Sequence, residues 1–313
     1  MSQNPAAPFV LPETAAVLEL IAAAEGPHLA EMTAPEMRAV YRQMGEVFDV
    51  PAEADVRTVD FDHQGIALRV YHPSPAVAGP VIVYFHGGGW VIGDLETHDP
   101  LCSAIALISG LRVVAVDYRL APEHTWPAAH DDCLVAVQFV MSNPAQLEAP
   151  VTGVAVAGDS AGGNLACYVA AELGQGQIVG QLLIYPAADC TAPEGGSYHE
   201  FAEGFVLDRR LMDRFIGDYL PAEADRGLAP LSPLLHPVNS DMPRAVIVTA
   251  GLDPLRDQGR DLAAQIAAVG QEVHFLEGPG LIHGLATMRK VFPSGDRLIR
   301  RAVTIFAEMI RND

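Results

Sequence analysis

The chain has 313 residues, half of them apolar, and a formal net charge of −20 from 39 acidic and 19 basic side chains. This length and apolar fraction predict one large α/β domain with a sizeable core. The acidic balance argues against nucleic acid and anionic membranes as partners. The four cysteines are widely spaced and form no Cys-x-x-Cys pair. They predict neither a disulfide framework nor a zinc site, and they favour a reducing cytoplasmic location.

Residues 1–50 carry helical patterns. The first basic residue is Arg38, so no signal peptide is expected, and no apolar run reaches the length of a membrane span. Thr33-Ala-Pro-Glu36 is a capping-box pattern, which predicts that a helix begins there. Five apolar side chains then recur at helical spacing and predict a face that packs on the core or lines a ligand space. They are Met37, Val40, Tyr41, Met44 and Phe48.

Short apolar segments alternate with helical patterns over the rest of the chain. The predicted strands are Val56–Phe61, Ile66–His72, Val81–Phe85, Val113–Asp117, Val154–Ala157, Leu182–Tyr185, Ala245–Ala250 and Glu272–Leu276. The predicted helices are Leu101–Ser109, Ala128–Met141, Ala161–Leu173, Pro254–Val269 and Arg297–Arg311. This alternation predicts a doubly wound, mostly parallel sheet with helices on both faces.

Residues 190–230 interrupt the alternation. They contain no strand pattern, but they do contain an amphipathic helical stripe, Leu211 to Leu220. We predict that 190–230 and 1–50 together form a helical cap over the carboxyl edge of the sheet, where open α/β folds bind ligands. The remaining segments, 51–189 and 231–313, then form the main α/β domain, which contains the sheet.

The strand Val154–Ala157 runs into Gly158-Asp-Ser160-Ala-Gly162 and then into a predicted helix. Gly-x-Ser-x-Gly at a strand-to-helix turn is the pattern of a nucleophile elbow, which lifts a serine hydroxyl above the sheet. At this composition the pattern arises by chance roughly 0.08 times per chain, so a second motif is needed to support it.

That second motif is His86-Gly-Gly-Gly-Trp90, directly after the strand Val81–Phe85. Three glycines leave backbone N–H groups free to face a developing negative charge, as an oxyanion hole requires. A nucleotide site is disfavoured because no Lys-Ser/Thr pair and no Gly-x-Gly-x-x-Gly pattern accompanies the run. His86 itself is predicted to hold the loop by hydrogen bonds.

A serine nucleophile needs a base and an acid, which follow it in the order acid, then histidine, in this type of fold. Asp253 lies just past the strand Ala245–Ala250 and is the predicted acid. Asp257 is the alternative, although the helix dipole alone explains an acidic residue at its position. His283 follows the last strand, and we predict that it is the base.

Together these motifs resemble the bacterial hormone-sensitive-lipase-like carboxylesterases of the α/β-hydrolase superfamily. The matching segments run in that family's order and are His86-Gly-Gly-Gly-Trp90, Asp117-Tyr-Arg-Leu-Ala-Pro-Glu-His124 with Trp126-Pro-Ala128, Gly158-Asp-Ser-Ala-Gly-Gly163, Asp253-Pro-Leu-Arg-Asp257 and His283-Gly284. The resemblance implies an α/β-hydrolase fold with a mostly parallel eight-stranded sheet and a helical cap. It also implies a serine carboxylesterase that acts on short- to medium-chain acyl esters.

The resemblance further assigns a role to six residues. The nucleophile maps to Ser160, the acid to Asp253, the base to His283, and the oxyanion-binding N–H groups to Gly88, Gly89 and Ala161. This chemistry requires no metal and no organic cofactor, and its partner is a small-molecule ester. Relatives often dimerise through the last strand and helix, so a homodimer is an alternative to a monomer.

Two other functions stay open from the sequence alone. An amidase or formamidase would use the same triad, and some plant relatives that lost the histidine are small-molecule receptors. A binding-only role is disfavoured here because the triad is complete. Two departures from the family pattern, Gln258 in place of Glu and Leu285 in place of an aromatic residue, leave the pocket shape and the acyl length open.

Overall fold

Eight strands form one sheet in the computed structural model, which describes residues 8–311 except 25, 74 and 76. They are β1 (Arg57–His63), β2 (Ile66–His72), β3 (Gly79–Phe85), β4 (Arg112–Asp117), β5 (Val151–Asp159), β6 (Ile178–Ile184), β7 (Ala245–Leu252) and β8 (Val273–Ile282). The order across the sheet is β1-β2-β4-β3-β5-β6-β7-β8. The β1–β2 and β2–β4 pairs are antiparallel, and every other pair is parallel. The predicted mostly parallel eight-stranded sheet is confirmed.

Helices cover both faces of this sheet. Within the described ranges they are α1 (Pro12–Ala23), α2 (Ala34–Phe48), α3 (Leu95–Ser109), α4 (Ala128–Met141), α5 (Ala161–Leu173), α6 (Gly196–Glu200), α7 (Arg209–Tyr219), α8 (Arg256–Ala268) and α9 (Pro293–Arg311). None of these helices is both long and apolar enough to cross a lipid bilayer.

The strand β3 shows how the core is divided. Its side chains alternate between the two faces, as the pleat of a strand requires. Val83 and Phe85 pack in the cluster that contains α4, α5 and α8, whereas Ile82 and Tyr84 pack in the cluster that contains α3 and α9. Because both faces are covered, the strand is apolar along its length, which is why the sequence pattern identified it.

Several element boundaries differ from the prediction. The helix α3 begins at Leu95, six residues before the predicted start, because Asp94 and Thr97 form a capping box and Pro100 is accommodated inside the helix. The helix α8 begins at Arg256 rather than Pro254, so Asp253 is not its N-cap. The helix α9 begins earlier, at Pro293, and β8 extends through a mixed stretch to Ile282.

Both segments predicted to form a cap contain helices. The N-terminal segment contains α1 and α2, and residues 1–7 and 25 of that prediction lie outside the described residues. The segment 190–230 contains α6 and α7 and has no strand. The capping box predicted at Thr33 is present at the start of α2.

A buried ion pair joins the end of α2 to the segment that follows β8. The Arg289 guanidinium lies 3.0 Å from the Asp49 carboxylate, and both side chains are only 1% exposed. The Arg289 backbone N–H also donates to Asp49, at 3.1 Å. One residue further on, the Lys290 N–H donates to the Phe48 carbonyl oxygen at 3.1 Å. These contacts hold the second helix against the strand end that carries His283.

We expect Asp49→Asn to lower the free energy of unfolding by about 3–5 kcal/mol, because the buried Arg289 charge then keeps only a long contact of 3.9 Å with the Asp296 carboxylate. The matched control is Asp213→Asn, which breaks the half-exposed pair of Asp213 with Arg209 on α7. That change should cost about 0–1 kcal/mol. Urea denaturation followed by circular dichroism measures both, and equal losses in the two variants would contradict the structural importance of the buried pair.

Candidate active site

Ser160 lies on the tight turn between β5 and α5. Its backbone has φ 55° and ψ −119°, a conformation that L-residues rarely adopt. Glycine on both sides of the serine allows the turn to pack closely. An added Cβ on Gly162 would overlap the Phe85 carbonyl oxygen, and one on Gly158 would overlap the backbone of Gly162. The turn therefore rests directly on the end of β3.

His283 links Ser160 to Asp253. Its Nε2 lies 2.9 Å from Ser160 Oγ, and its Nδ1 lies 2.7 Å from Asp253 Oδ2. The other Asp253 oxygen accepts from the Leu255 backbone N–H at 2.8 Å, and the carboxylate is fully buried. Because a carboxylate can only accept, the imidazole proton is on Nδ1, and the Nε2 lone pair faces the serine hydroxyl. The three predicted residues are thus brought together from the ends of β5, β7 and β8.

The alternative acid, Asp257, lies elsewhere. Its carboxylate pairs with the guanidinium groups of Arg256 and Arg260, and it accepts from the Ser197 backbone N–H. It makes no hydrogen bond to His283 among the described contacts. The structure therefore joins Asp253, and not Asp257, to the imidazole.

The glycine run 87–89 forms the loop after β3 and lies beside the elbow. Gly88 has φ 120° and Gly89 has φ 58°, values that L-residues seldom adopt. Within the described part of the chain, the N–H groups of Gly88, Gly89 and Ala161 have no acceptor. All three residues line one pocket with Ser160 and His283. Their amides are thus available to an incoming ligand.

The similarity of the chain to known proteins agrees with this geometry. A family model described as the alpha/beta hydrolase fold matches residues 82–287. Carboxylesterase NlhH of Mycobacterium tuberculosis is 42% identical over 249 residues, which are 76% of this chain and 77% of that protein. The chain belongs to the hormone-sensitive-lipase-like carboxylesterases of the α/β-hydrolase superfamily. The predicted family and enzyme class, a carboxylic ester hydrolase, are confirmed.

Other members of the family match over nearly the whole chain. An ethyl acetate hydrolase of Pseudomonas putida is 32% identical over 303 residues, which are 91% of this chain and 94% of that protein. An ester hydrolase from the metagenome of Lake Arreo was solved in complex with a derivative of bipyridine phosphonate. It has a TM-score of 0.88 at 36% identity and covers 96% of this chain and 99% of its own.

The pocket in this member of the family is mostly apolar. It encloses about 930 Å³ of space, part of which is open to solvent. Tyr41 and Met44 of the predicted helical stripe line it, whereas Met37 is buried in the core. From the segment 190–230, the pocket receives Val206, Leu207, Leu211, Met212 and Phe215. Both predicted cap segments therefore contribute to its wall.

The two departures from the family pattern do not line the pocket. Gln258 accepts from the backbone N–H groups of Ala188 and Asp189 with its side-chain oxygen, and it holds the loop after β6. Leu285 is fully buried in the core. Any influence of these two residues on the pocket shape is therefore indirect, through the loop that Gln258 holds and the core in which Leu285 is packed.

A buried polar cluster behind the glycine loop was not predicted from the sequence. It consists of Asp159, His98 and Tyr84, whose side chains are joined by hydrogen bonds or close polar contacts. Asp159 directly precedes Ser160 in the elbow motif, which is the one signal in the sequence that could have identified it. His98 belongs to no motif, and it lies in the first turn of α3, which was not predicted to be helical. Nothing in the sequence therefore indicated that it contacts Asp159.

His86 holds the glycine loop, as predicted. Its Nδ1 donates to the Gly87 carbonyl oxygen at 2.8 Å, and its ring stacks on Tyr118 with 4.2 Å between centroids. The Tyr118 hydroxyl donates to the His86 carbonyl oxygen at 2.6 Å. Burial lowers the pKa of the His86 imidazole to about 4, and repulsion from His98 adds to the effect.

The lowered pKa of His86 makes the free energy of unfolding depend on pH. A histidine in an unfolded chain titrates near pH 6.5, so the unfolded state binds more protons than the folded state between about pH 6.5 and 4. The neutral imidazole therefore stabilises the fold above about pH 6.5, and this contribution is lost as the pH falls toward 4. Burial also lowers the pKa of His130 to about 4, with the same sign.

We expect His86→Gln to flatten the pH dependence of the free energy of unfolding between about pH 6.5 and 4, because one proton-linked group is removed. The double variant with His130→Gln should be flatter than either single variant. Urea unfolding at a series of pH values measures this slope. Curves parallel to that of the wild type would show that neither imidazole is held neutral by the fold.

Proposed function

We propose that this family member is a serine carboxylesterase that hydrolyses short- to medium-chain acyl esters through an acyl-enzyme intermediate. The observation that carries the proposal is the double hydrogen bonding of His283, to Ser160 Oγ at 2.9 Å and to Asp253 at 2.7 Å. A serine hydroxyl becomes an effective nucleophile only when such a base accepts its proton.

In the first half-reaction, Ser160 Oγ attacks the ester carbonyl carbon, and His283 Nε2 takes the hydroxyl proton. Asp253 keeps the imidazole in the required tautomer and stabilises the cation that forms. The carbonyl oxygen gains negative charge, which the N–H groups of the oxyanion hole bind. These are the amides of Gly88, Gly89 and Ala161, and the last of them is at the positive end of α5.

The tetrahedral intermediate then collapses. The bond from carbon to the alcohol oxygen breaks, and His283 gives its proton to the leaving alcohol. Water attacks the acyl group on Ser160 while His283 takes a proton from it, and the second collapse releases the carboxylic acid and restores the serine. No metal or organic cofactor takes part in these steps.

The shape and chemistry of the pocket support the proposed substrate class. Its wall is apolar, which suits an acyl chain, and the named activity of one relative is the hydrolysis of ethyl acetate.

We assign the wall to a cap formed by residues 1–50 and 190–230, placed over a catalytic domain of 51–189 and 231–313. The homodimer and the cytoplasmic location stay predictions from the sequence.

Ser160→Ala should lower kcat on p-nitrophenyl butyrate by roughly 10⁴-fold or more, because the nucleophile is absent. The wild-type enzyme should be assayed in parallel on acyl lengths from acetate to laurate and on matched anilides. A rate maximum among the short and medium esters is expected. Faster turnover of the anilides would indicate the amidase alternative, and full activity of the variant would refute the proposed nucleophile.

Asp253→Asn and Asp257→Asn provide a matched pair for the acid. Asp253→Asn should lower kcat by about 10³–10⁴-fold, because an amide cannot hold the imidazole in the required tautomer. Asp257→Asn should leave kcat near the wild-type value, since that carboxylate pairs with two arginines. Initial rates at saturating ester measure both. A larger loss in Asp257→Asn would move the role of the acid to that residue.

A further inference from the structure

One carboxylate joins the elbow to the glycine loop. Asp159 is 2% exposed, and its Oδ1 accepts from the Gly87 backbone N–H at 2.9 Å and from the Tyr84 hydroxyl at 2.7 Å. The same oxygen lies 3.2 Å from His98 Nε2. None of these contacts is used in the reaction steps described above.

These contacts of Asp159 join two residues that are each adjacent in sequence to a part of the proposed catalytic machinery. Asp159 directly precedes Ser160, and Gly87 directly precedes the two glycines whose amides we assign to the oxyanion hole. A Cβ added to Gly87 would overlap the Asp159 carboxylate, so the loop and the carboxylate are in direct contact. A change at Asp159 is therefore transmitted to the backbone of the hole through a single peptide unit.

A second set of contacts fixes the carboxylate itself. His98 lies in the first turn of α3, where Asp94 and Thr97 form the capping box. The Thr97 hydroxyl lies 2.9 Å from His98 Nδ1, so both ring nitrogens have polar partners. With Tyr84 on β3, the cluster connects two separate elements, α3 and β3, to the elbow. These contacts from other elements fix the orientation of the Asp159 carboxylate.

The cluster also favours the ionised form of the carboxylate. Burial alone would raise the pKa of Asp159, but the charge and hydrogen bond of His98, with the hydrogen bonds from Tyr84 and Gly87, outweigh it and lower the pKa below its usual value. Asp159 is therefore ionised at neutral pH.

We propose that Asp159 is a positioning residue, which holds the Gly87 peptide through its carboxylate and thereby aims the Gly88 and Gly89 amides at the oxygen of the transition state. The inference rests on the proposed function. Under this proposal, Asp159 neither contacts the substrate nor transfers a proton. Loss of its carboxylate would misalign the hole, which lowers kcat and leaves substrate binding unchanged.

The test must separate alignment of the hole from simple loss of folded protein. An ester and its thiono analogue, in which sulfur replaces the carbonyl oxygen, provide such a test. Backbone N–H groups bind a developing oxyanion better than a developing thiolate, so a well-aligned hole favours the oxygen ester. The ratio of the two kcat/KM values, measured on one sample, does not depend on the fraction of protein that is folded.

We expect the wild-type enzyme to prefer the oxygen ester, and Asp159→Ala to reduce that preference by about tenfold or more with a fall in kcat and little change in KM. Asp159→Asn retains an acceptor for the Gly87 N–H, so it should restore part of the preference. Tyr84→Phe removes a hydrogen bond to Asp159 and should cause a smaller loss of the same kind. His98→Gln should do so too, since His98 Nε2 lies close to Asp159 and is also 3.3 Å from the Gly87 backbone nitrogen.

Asp132→Asn is the matched control. Asp132 is also buried and also accepts a backbone N–H, that of Arg119, at 2.9 Å, but it does not line the pocket. The Asp132→Asn variant should keep the wild-type preference for the oxygen ester over the thiono ester, even if its fold is less stable.

Asp159→Ala and Asp159→Asn with unchanged preferences would overturn the inference, while Ser160→Ala would still test the proposed function on its own. If Asp159→Ala yields no folded protein, Asp159→Asn and Tyr84→Phe decide, and wild-type ratios in both would overturn the inference. Absence of ester turnover by the wild-type enzyme would instead refute the proposed function.

Discussion

The contact between the first turn of α5 and the backbone at the end of β3 is the constraint on which the site depends. Gly162 lies so close to the Phe85 carbonyl oxygen that no side chain fits between them. This contact brings two adjacent parallel strands to the same point at the carboxyl edge of the sheet. Ser160 comes from one strand and the glycine loop from the next, so their separation is set by backbone packing and not by flexible side chains.

The walls of the pocket are tied to the chemistry by contacts of their own. Trp90, which ends the glycine run, stacks on Tyr219 of α7 with 4.7 Å between ring centroids. At the other side, the Asp49–Arg289 pair ties α2 to the segment that follows His283. Each of these two helical segments is therefore fixed to a loop next to the residues of the site. Movement of either segment would disturb the site as well as the volume available to the acyl chain.

Much of this arrangement could be predicted because the signals are local. Strands covered on both faces are short apolar runs, and Gly-x-Ser-x-Gly encodes its own turn. The ends of β7 and β8 place Asp253 and His283 on one edge once the sheet is known to be parallel. The contact between Asp159 and His98 joins residues 61 positions apart, and no periodicity records it. The beginning of α3 was hidden for a different reason, because Pro100 inside the helix is a signal against helix.

The glycine loop shows why the support around it must be extensive. Three consecutive glycines lose more conformational freedom on folding than any other tripeptide, so the loop has no intrinsic preference for the conformation it adopts. Its order comes from outside: Tyr118 holds His86, Asp159 holds Gly87, and the Phe215 ring lies against Gly89. These side chains belong to different parts of the chain, and one of them belongs to the segment 190–230. The same lack of side chains that lets the amides face a ligand thus makes their alignment a property of the whole fold.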